Sequence, residues 1–158
     1  MQFRIDSQLA QVAIVRRGAG RRYPTVELRK IAAVILTALK QNRAELSIAL
    51  VGDKEMRLLN AKYRKKHTTT DVLSFPVEDQ PASGSILLGD VIISVEQARR
   101  QAQVQKKTLK SEMATLLIHG ILHLLGYDHE ASTRQAEIMF SLERKLYDHL
   151  CDRGLLRV

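Results

Sequence analysis

Between Met113 and Leu125 the chain reads MATLLIHGILHLL, apolar nearly all the way round a helical projection. No other feature constrains the fold as strongly, because a helix without a polar face can only be stable inside a core. Thr108 stands where a cap would open this helix, and Gly126 where a left-handed residue would close it. Apart from Thr115, its polar side chains are His119 and His123. Residues four apart on a helix lie one turn apart on the same face, so this segment carries two imidazoles side by side into an apolar interior. A buried imidazole needs a polar partner, and packing alone does not explain a pair.

The rest of the pattern supplies elements around that helix. FRID at 3–6 reads as a short strand, and the glycine-rich, basic RRGAGRRYP as a loop. Thr25 is placed as a cap, Glu27 lies in the first turn, and Leu28, Ile31, Ala32, Ile35 and Leu39 recur at helical spacing to about Lys40. ELSIALVG alternates as a strand, and Asp53 is placed to cap a helix through about Tyr63. DVLSFPVE, closed by Pro76, and GDVIISVE read as two further strands, joined by the turn-rich DQPASGS. Ser94 with Gln97, and Ser132 with Gln135, match capping boxes, opening helices to about Gln105 and about Leu150. The expectation is an α+β fold, a small mixed sheet of about four strands packed with about five helices, in a single domain over 1–158.

Gly126 allows the chain to turn after the central helix and bring back His129, which makes a third imidazole available at the end of that helix. Three neutral nitrogens with an open fourth position describe a catalytic zinc site; a structural one usually adds a fourth protein ligand, often cysteine. The only cysteine, Cys151, lies 22 residues beyond His129. Imidazoles favour zinc, and nickel or another divalent ion suits the same donors. His67 and His149 lack such company and read as surface residues. The spacing His119–His123–Gly126–His129 is that of the long zinc-peptidase motif H-E-x-x-H-x-x-G-x-x-H, with one departure: the position of the glutamate base is Gly120. Without a carboxylate to take a proton, peptide hydrolysis loses ground to phosphodiester cleavage, where charge stabilisation carries much of the chemistry.

The formal net charge of +8 points to a polyanionic partner, although mild basicity also serves solubility. Base-stacking platforms are not advertised by a chain this poor in aromatics and without tryptophan. A lone cysteine and the lack of an apolar leader with a cleavage site suit a reducing cytoplasm, and no run is long enough to span a membrane. The densest cationic stretch, NAKYRKKHTTTDVLSFP at 60–76, places Arg64, Lys65 and Lys66 at a helix end. Lys65 and Lys66 suit a solvated face that complements the helix dipole. Arg64 can clamp a phosphate at two points, as lysine cannot.

Taken with HGILHLLGYDH, the segments N-x-x-YR, TDVLSFP and GDVIIS make the chain from about residue 45 to 130 resemble the YbeY family of bacterial endoribonucleases. The resemblance implies a metal-dependent, single-strand-specific RNase that matures the 3′ end of small-subunit (16S) ribosomal RNA and serves ribosome quality control. The implied partners are the ribosome or its small subunit, ribosomal proteins and a ribosome-associated GTPase. It further implies zinc ligation by His119, His123 and His129, and a catalytic part for Arg64 and His119. Asp90 and Asp128 match family positions without a firm role, and Thr69 stands where the family often has proline. Lys65, Lys66, Arg99, Arg100, Lys106 and Lys107 are candidates to track the RNA backbone. Two alternatives stay open: a peptidase-like or amidase-like zinc hydrolase with a distant base, and a non-catalytic ribosome assembly factor in which the metal only staples the fold.

Overall fold

The computed structural model describes residues 10–80, 82, 84 and 86–157. The elements run β1 (Gln11–Arg16), α1 (Val26–Ala38), β2 (Ala44–Val51), α2 (Asp53–Arg64), β3 (Val72–Pro76), β4 (Ile86–Ser94), α3 (Val95–Val104), α4 (Leu109–Leu124) and α5 (Thr133–Asp152). The sheet order is β1-β2-β4-β3, with β1, β2 and β4 parallel and β3 antiparallel to β4. This is the α+β arrangement of a small mixed four-stranded sheet and five α-helices expected from the sequence. The first strand was not foreseen where it lies, in QVAIVR, and FRID falls outside the described residues.

Alternation along β2 sends Leu46, Ile48 and Leu50 to one face, where they join Val91 and Ile93 of β4 in the main core. Helices α1, α4 and α5 cover that face through Ile31, Ile35, Leu117, Ile121, Met139 and Leu150. On the opposite face α2 packs Met56 and Leu59 against Val51, Leu73, Phe75 and Ile92. At the centre α4 buries eleven residues, among them Met113, Leu117, Ile118, Ile121 and Leu122, so the apolar stretch is the central helix. Each such side chain contributes about 1.5–3 kcal/mol relative to leaving it in water. Among the described residues no helix is long and apolar enough to cross a membrane.

Helix starts follow the sequence in three cases and depart from it in two. Thr108, Ser94 and Ser132 each accept a hydrogen bond from the backbone N–H three residues on. The Gln97 arm of the expected box is missing: the Ser94 N–H donates to the Asp71 carbonyl at 2.9 Å, and Gln97 Oε1 accepts from Arg100 instead. Thr25 stands at the α1 cap with helical backbone angles and no side-chain bond. Asp53 does not cap α2: Gly52 holds that position, and Glu96, from α3, accepts the Asp53 N–H at 2.9 Å.

The Asp53 carboxylate ties three other segments together. It pairs with Arg100 of α3 at 2.7 Å and accepts from Ser94 at 3.0 Å and Thr69 at 3.3 Å. Arg100 chiefly, with Ser94 and Thr69, holds the Asp53 carboxyl below the usual carboxylate range, against the opposing effect of burial. A more buried ion pair lies at the start of α4, where buried Glu112 meets Lys107 at 3.2 Å and Gln101 at 3.0 Å. A carboxylate removed from water in this way is tolerable only because both partners are present.

Because the folded Asp53 carboxyl is depressed, its contribution to stability is complete above about pH 4 and is lost as pH falls through the folded value. We expect Asp53→Asn to be less stable than wild type at neutral pH, with the gap closing under acid. Urea denaturation between roughly pH 2 and 7 checks this; a gap that does not change with pH would refute it.

Candidate metal centre

Helix α4 ends in a turn that its sequence dictates. Gly126 takes φ +96°, a conformation few side chains tolerate. The Gly126 N–H reaches the His123 carbonyl at 3.0 Å, and the Tyr127 N–H reaches the Leu122 carbonyl at 3.0 Å. These two bonds form a Schellman turn, which satisfies the last carbonyls of the helix and folds the chain back. Asp128 then accepts the Glu130 N–H at 2.9 Å, tightening the following turn.

The result is a triangle of rings. His119, His123 and His129 have centroid separations of 4.5, 5.3 and 5.5 Å, and each offers a nitrogen within 4.8 Å of the other two. The Nε2 atoms of His119 and His123 stand 3.0 Å apart. All three residues are half-buried. Burial, followed by the neighbouring His119 and His129 charges, pushes the His123 pKa down, so its neutral, electron-donating form is favoured.

Two further observations test whether an ion suits these rings. The Nδ1 atom of His129 is buried and has no hydrogen-bond partner, a cost that coordination would remove. Glu143, from α5, lies 3.0 Å from the His119 Nδ1. A carboxylate there keeps the proton on Nδ1 and leaves the Nε2 lone pair facing His123, the arrangement by which a ligand imidazole is oriented and made more basic. The donor set therefore fits a divalent ion such as zinc. Sequence reading missed Glu143, since nothing in the spacing of α5 says which of its acidic residues turns toward a histidine fourteen residues before its own helix starts.

The missing glutamate has a steric reason. A Cβ on Gly120 would lie 2.6 Å from Cγ1 of Val91 and 3.2 Å from Oγ of Ser74. Helix and sheet touch backbone to side chain at that point, and Ser74 donates to the Gly120 carbonyl at 2.9 Å. A glutamate at position 120 would point into the sheet rather than toward the rings.

Arg64 ends α2, exposed, and its charge is among those that lower the His123 pKa. Asn60 explains the N-x-x-YR spacing: it is 3 % exposed, its Nδ2 donates to the Thr68 carbonyl at 2.8 Å, and its own carbonyl accepts the Lys66 N–H at 3.3 Å, just past left-handed Lys65. The loop after Arg64 is thereby fastened to the helix that presents it. Lys65, Lys66 and His67 are exposed, whereas His149 is half-buried rather than at the surface. Of the cations expected to track a polyanion, exposed Arg100 pairs with Asp53 and half-buried Lys107 with Glu112. Arg99 and Lys106 are exposed. Asp90 is exposed on the open sheet face and lies away from the rings, in register with Ser47 and Phe75.

The family model described as Endoribonuclease YbeY matches residues 19–151. Among curated proteins, the chain is similar to the Endoribonuclease YbeY of a Sulfurihydrogenibium species, 46% identical over 78% of this chain and 81% of the relative. It is also similar to the protein of the same name from Myxococcus xanthus, 46% identical over 90% of this chain, which spans about half (47%) of that relative. A solution structure of a Thermotoga maritima protein superposes with a TM-score of 0.65 at 25% identity, over 91% of each chain.

Two outcomes follow from this geometry. Glu143→Ala should weaken zinc binding roughly 10- to 100-fold in competition with a chromophoric chelator. Unaltered affinity would show that the carboxylate does not orient His119. Gly120→Ala should lower Tm, although alanine is the better helix former by about 1 kcal/mol. The cost of overpacking against fully buried Val91 is about 1–3 kcal/mol and outweighs that gain. A raised Tm would contradict the contact.

Proposed function

Since the chain belongs to the YbeY endoribonuclease family, we propose that it is a metal-dependent endoribonuclease whose centre is the His119–His123–His129 triangle and whose phosphate-binding group is Arg64. One observation carries this reading: three imidazoles converge, each offering a nitrogen within 4.8 Å of the other two, and the carboxylate beside them is already engaged with a ring nitrogen. That combination suits a phosphodiester better than a peptide. A peptidase needs a carboxylate free to move a proton, and Glu143 is occupied in orienting His119.

A divalent ion, when bound by the three rings, supplies Lewis-acid chemistry toward a phosphate oxygen or a water. The chain's own residues do the rest. Glu143 retains the Nδ1 proton of His119 and fixes its ring. Arg64 pairs with the scissile phosphate through its two-pronged guanidinium and stabilises the charge that develops there. Lys65 and Lys66, on the loop that Asn60 fastens, extend the positive surface along the backbone of the strand. Zinc is the ion that imidazoles favour, with nickel a competent substitute.

The substrate in this reading is single-stranded RNA, and the site of action the 3′ end of small-subunit ribosomal RNA together with defective ribosomes under quality control. Its partners are the ribosome or its small subunit, ribosomal proteins and a ribosome-associated GTPase, in the cytoplasm. The whole chain acts as one domain. The +8 charge and the family carry this part of the reading.

The decisive comparison uses identically purified wild type, Arg64→Ala and His123→Ala on single-stranded and duplex RNA, with and without chelator. We expect chelator-sensitive cleavage confined to single strands. Arg64→Ala should lower it roughly 10²- to 10³-fold, the usual loss when one charge-stabilising group is removed. Equal cleavage by Arg64→Ala, or cleavage indifferent to chelator, would overturn the proposal.

A further inference from the structure

Helix α5 presents two side chains to the metal centre. Glu143 reaches His119, and Phe140, three residues earlier and so on the same face, lies beside His129. The Phe140 and His129 ring centroids are 6.4 Å apart, with an interplanar angle of 36°. Phe140 is 58% exposed, although the preceding Met139 is fully buried in the core. An exposed phenylalanine contributes little to folding, and this ring is not needed to hold His129, which the Gly126 turn already places. Its contact with the rim of the centre, in a chain poor in aromatics, calls for a ligand with a flat apolar face.

Resting on the ribonuclease reading above, we propose that Phe140 is a stacking platform for the base of a nucleotide flanking the scissile phosphate. The strand would be held at two points on either side of the triangle: by its phosphate at Arg64 on α2, and by a base at Phe140 on α5. Every base has a π-face, so such a contact grips the strand without reading its sequence. It also favours single strands, because a base paired and stacked in a duplex has no free face to offer. Tyr63, next to Arg64, is exposed as well, but its ring already meets Phe75 edge-on at 5.1 Å and lies under the Lys62 ammonium. Phe140 has no aromatic neighbour besides His129 among the described residues.

The test uses the full chain, with Phe140 replaced by Ala, Leu or Trp. Binding of a fluorescent single-stranded RNA is followed by anisotropy in chelator, where cleavage cannot intervene, and kcat and KM are measured with zinc restored. Phe140→Ala and Phe140→Leu should weaken binding roughly 5- to 100-fold, and Phe140→Trp should restore it. KM should rise with kcat little changed, as expected for a contact equal in ground and transition states. The dependence of binding on salt should stay as in wild type, because no phosphate contact is lost. Zinc affinity should be unaltered, which separates stacking from damage to the rings. One abasic position, scanned along the RNA, should cost wild type the same factor and Phe140→Ala nothing. Wild-type affinity in Phe140→Ala, or in Phe140→Leu, would overturn the inference while leaving the ribonuclease reading intact. Failure of wild type to bind the RNA at all would overturn both.

Discussion

The close approach of α4 to β4 and β3 at Gly120 is the contact on which the rest of the molecule depends. A helix apolar on every side has to be enclosed, and it is enclosed most tightly where one residue lacks a side chain. Seating the helix there aims Ile121 and Leu122 into the main core and leaves His119 and His123 facing the open end of the helix. The glycine therefore settles two matters together. It lets the helix reach the sheet, and it excludes the carboxylate that would make the same histidine spacing a peptidase. Packing and chemistry are decided by one missing Cβ.

Arg64 owes its position to constraints at both ends of α2. At the start, Glu96 accepts the Asp53 N–H while Asp53 binds α3 through Arg100 and the following loop through Thr69. At the finish, buried Asn60 holds both Lys66 and Thr68. Between them Met56 and Leu59 anchor the helix to the sheet face opposite α4. The helix that ends in Arg64 thus belongs to a different core cluster from the helix that carries His119 and His123, and the sheet lies between them. Long side chains are entropically costly to order, so a cation mounted on a doubly fastened helix end is held more economically than one on a free loop.

Much of this was legible in the residues themselves. The central helix announced itself by having no polar face, its end by Gly126, and the three imidazoles by their spacing. Ser94, Thr108 and Ser132 are local signals, and local hydrogen bonds obey them. What failed was long-range. Asp53 has the right chemistry for a cap, but Arg100 and Ser94, more than forty residues away, compete for its carboxylate. Glu143 is one acidic residue among several on α5, and only the packing of α5 beside α4 selects it. QVAIVR went unread as a strand because Ala13 and Val15 are exposed, so its two faces differ little in polarity.

Charge shows the same limit in a form that bears on function. A formal excess of eight positive charges invites the assumption that every cation faces a polyanion. Arg100 and Lys107 each pair with a carboxylate of the fold instead: Arg100, itself exposed, with half-buried Asp53, and Lys107 with Glu112, which is buried and needs a partner there. Arg64, Lys65 and Lys66 are exposed and cluster at one helix end. A flexible polyanion gripped only there would be free to swing about a single point. The second hold in this reading is Phe140 of α5, beside His129, and it carries no charge at all. A surface that alternates cation, metal ligand and aromatic ring is suited to a chain that itself alternates phosphate and base.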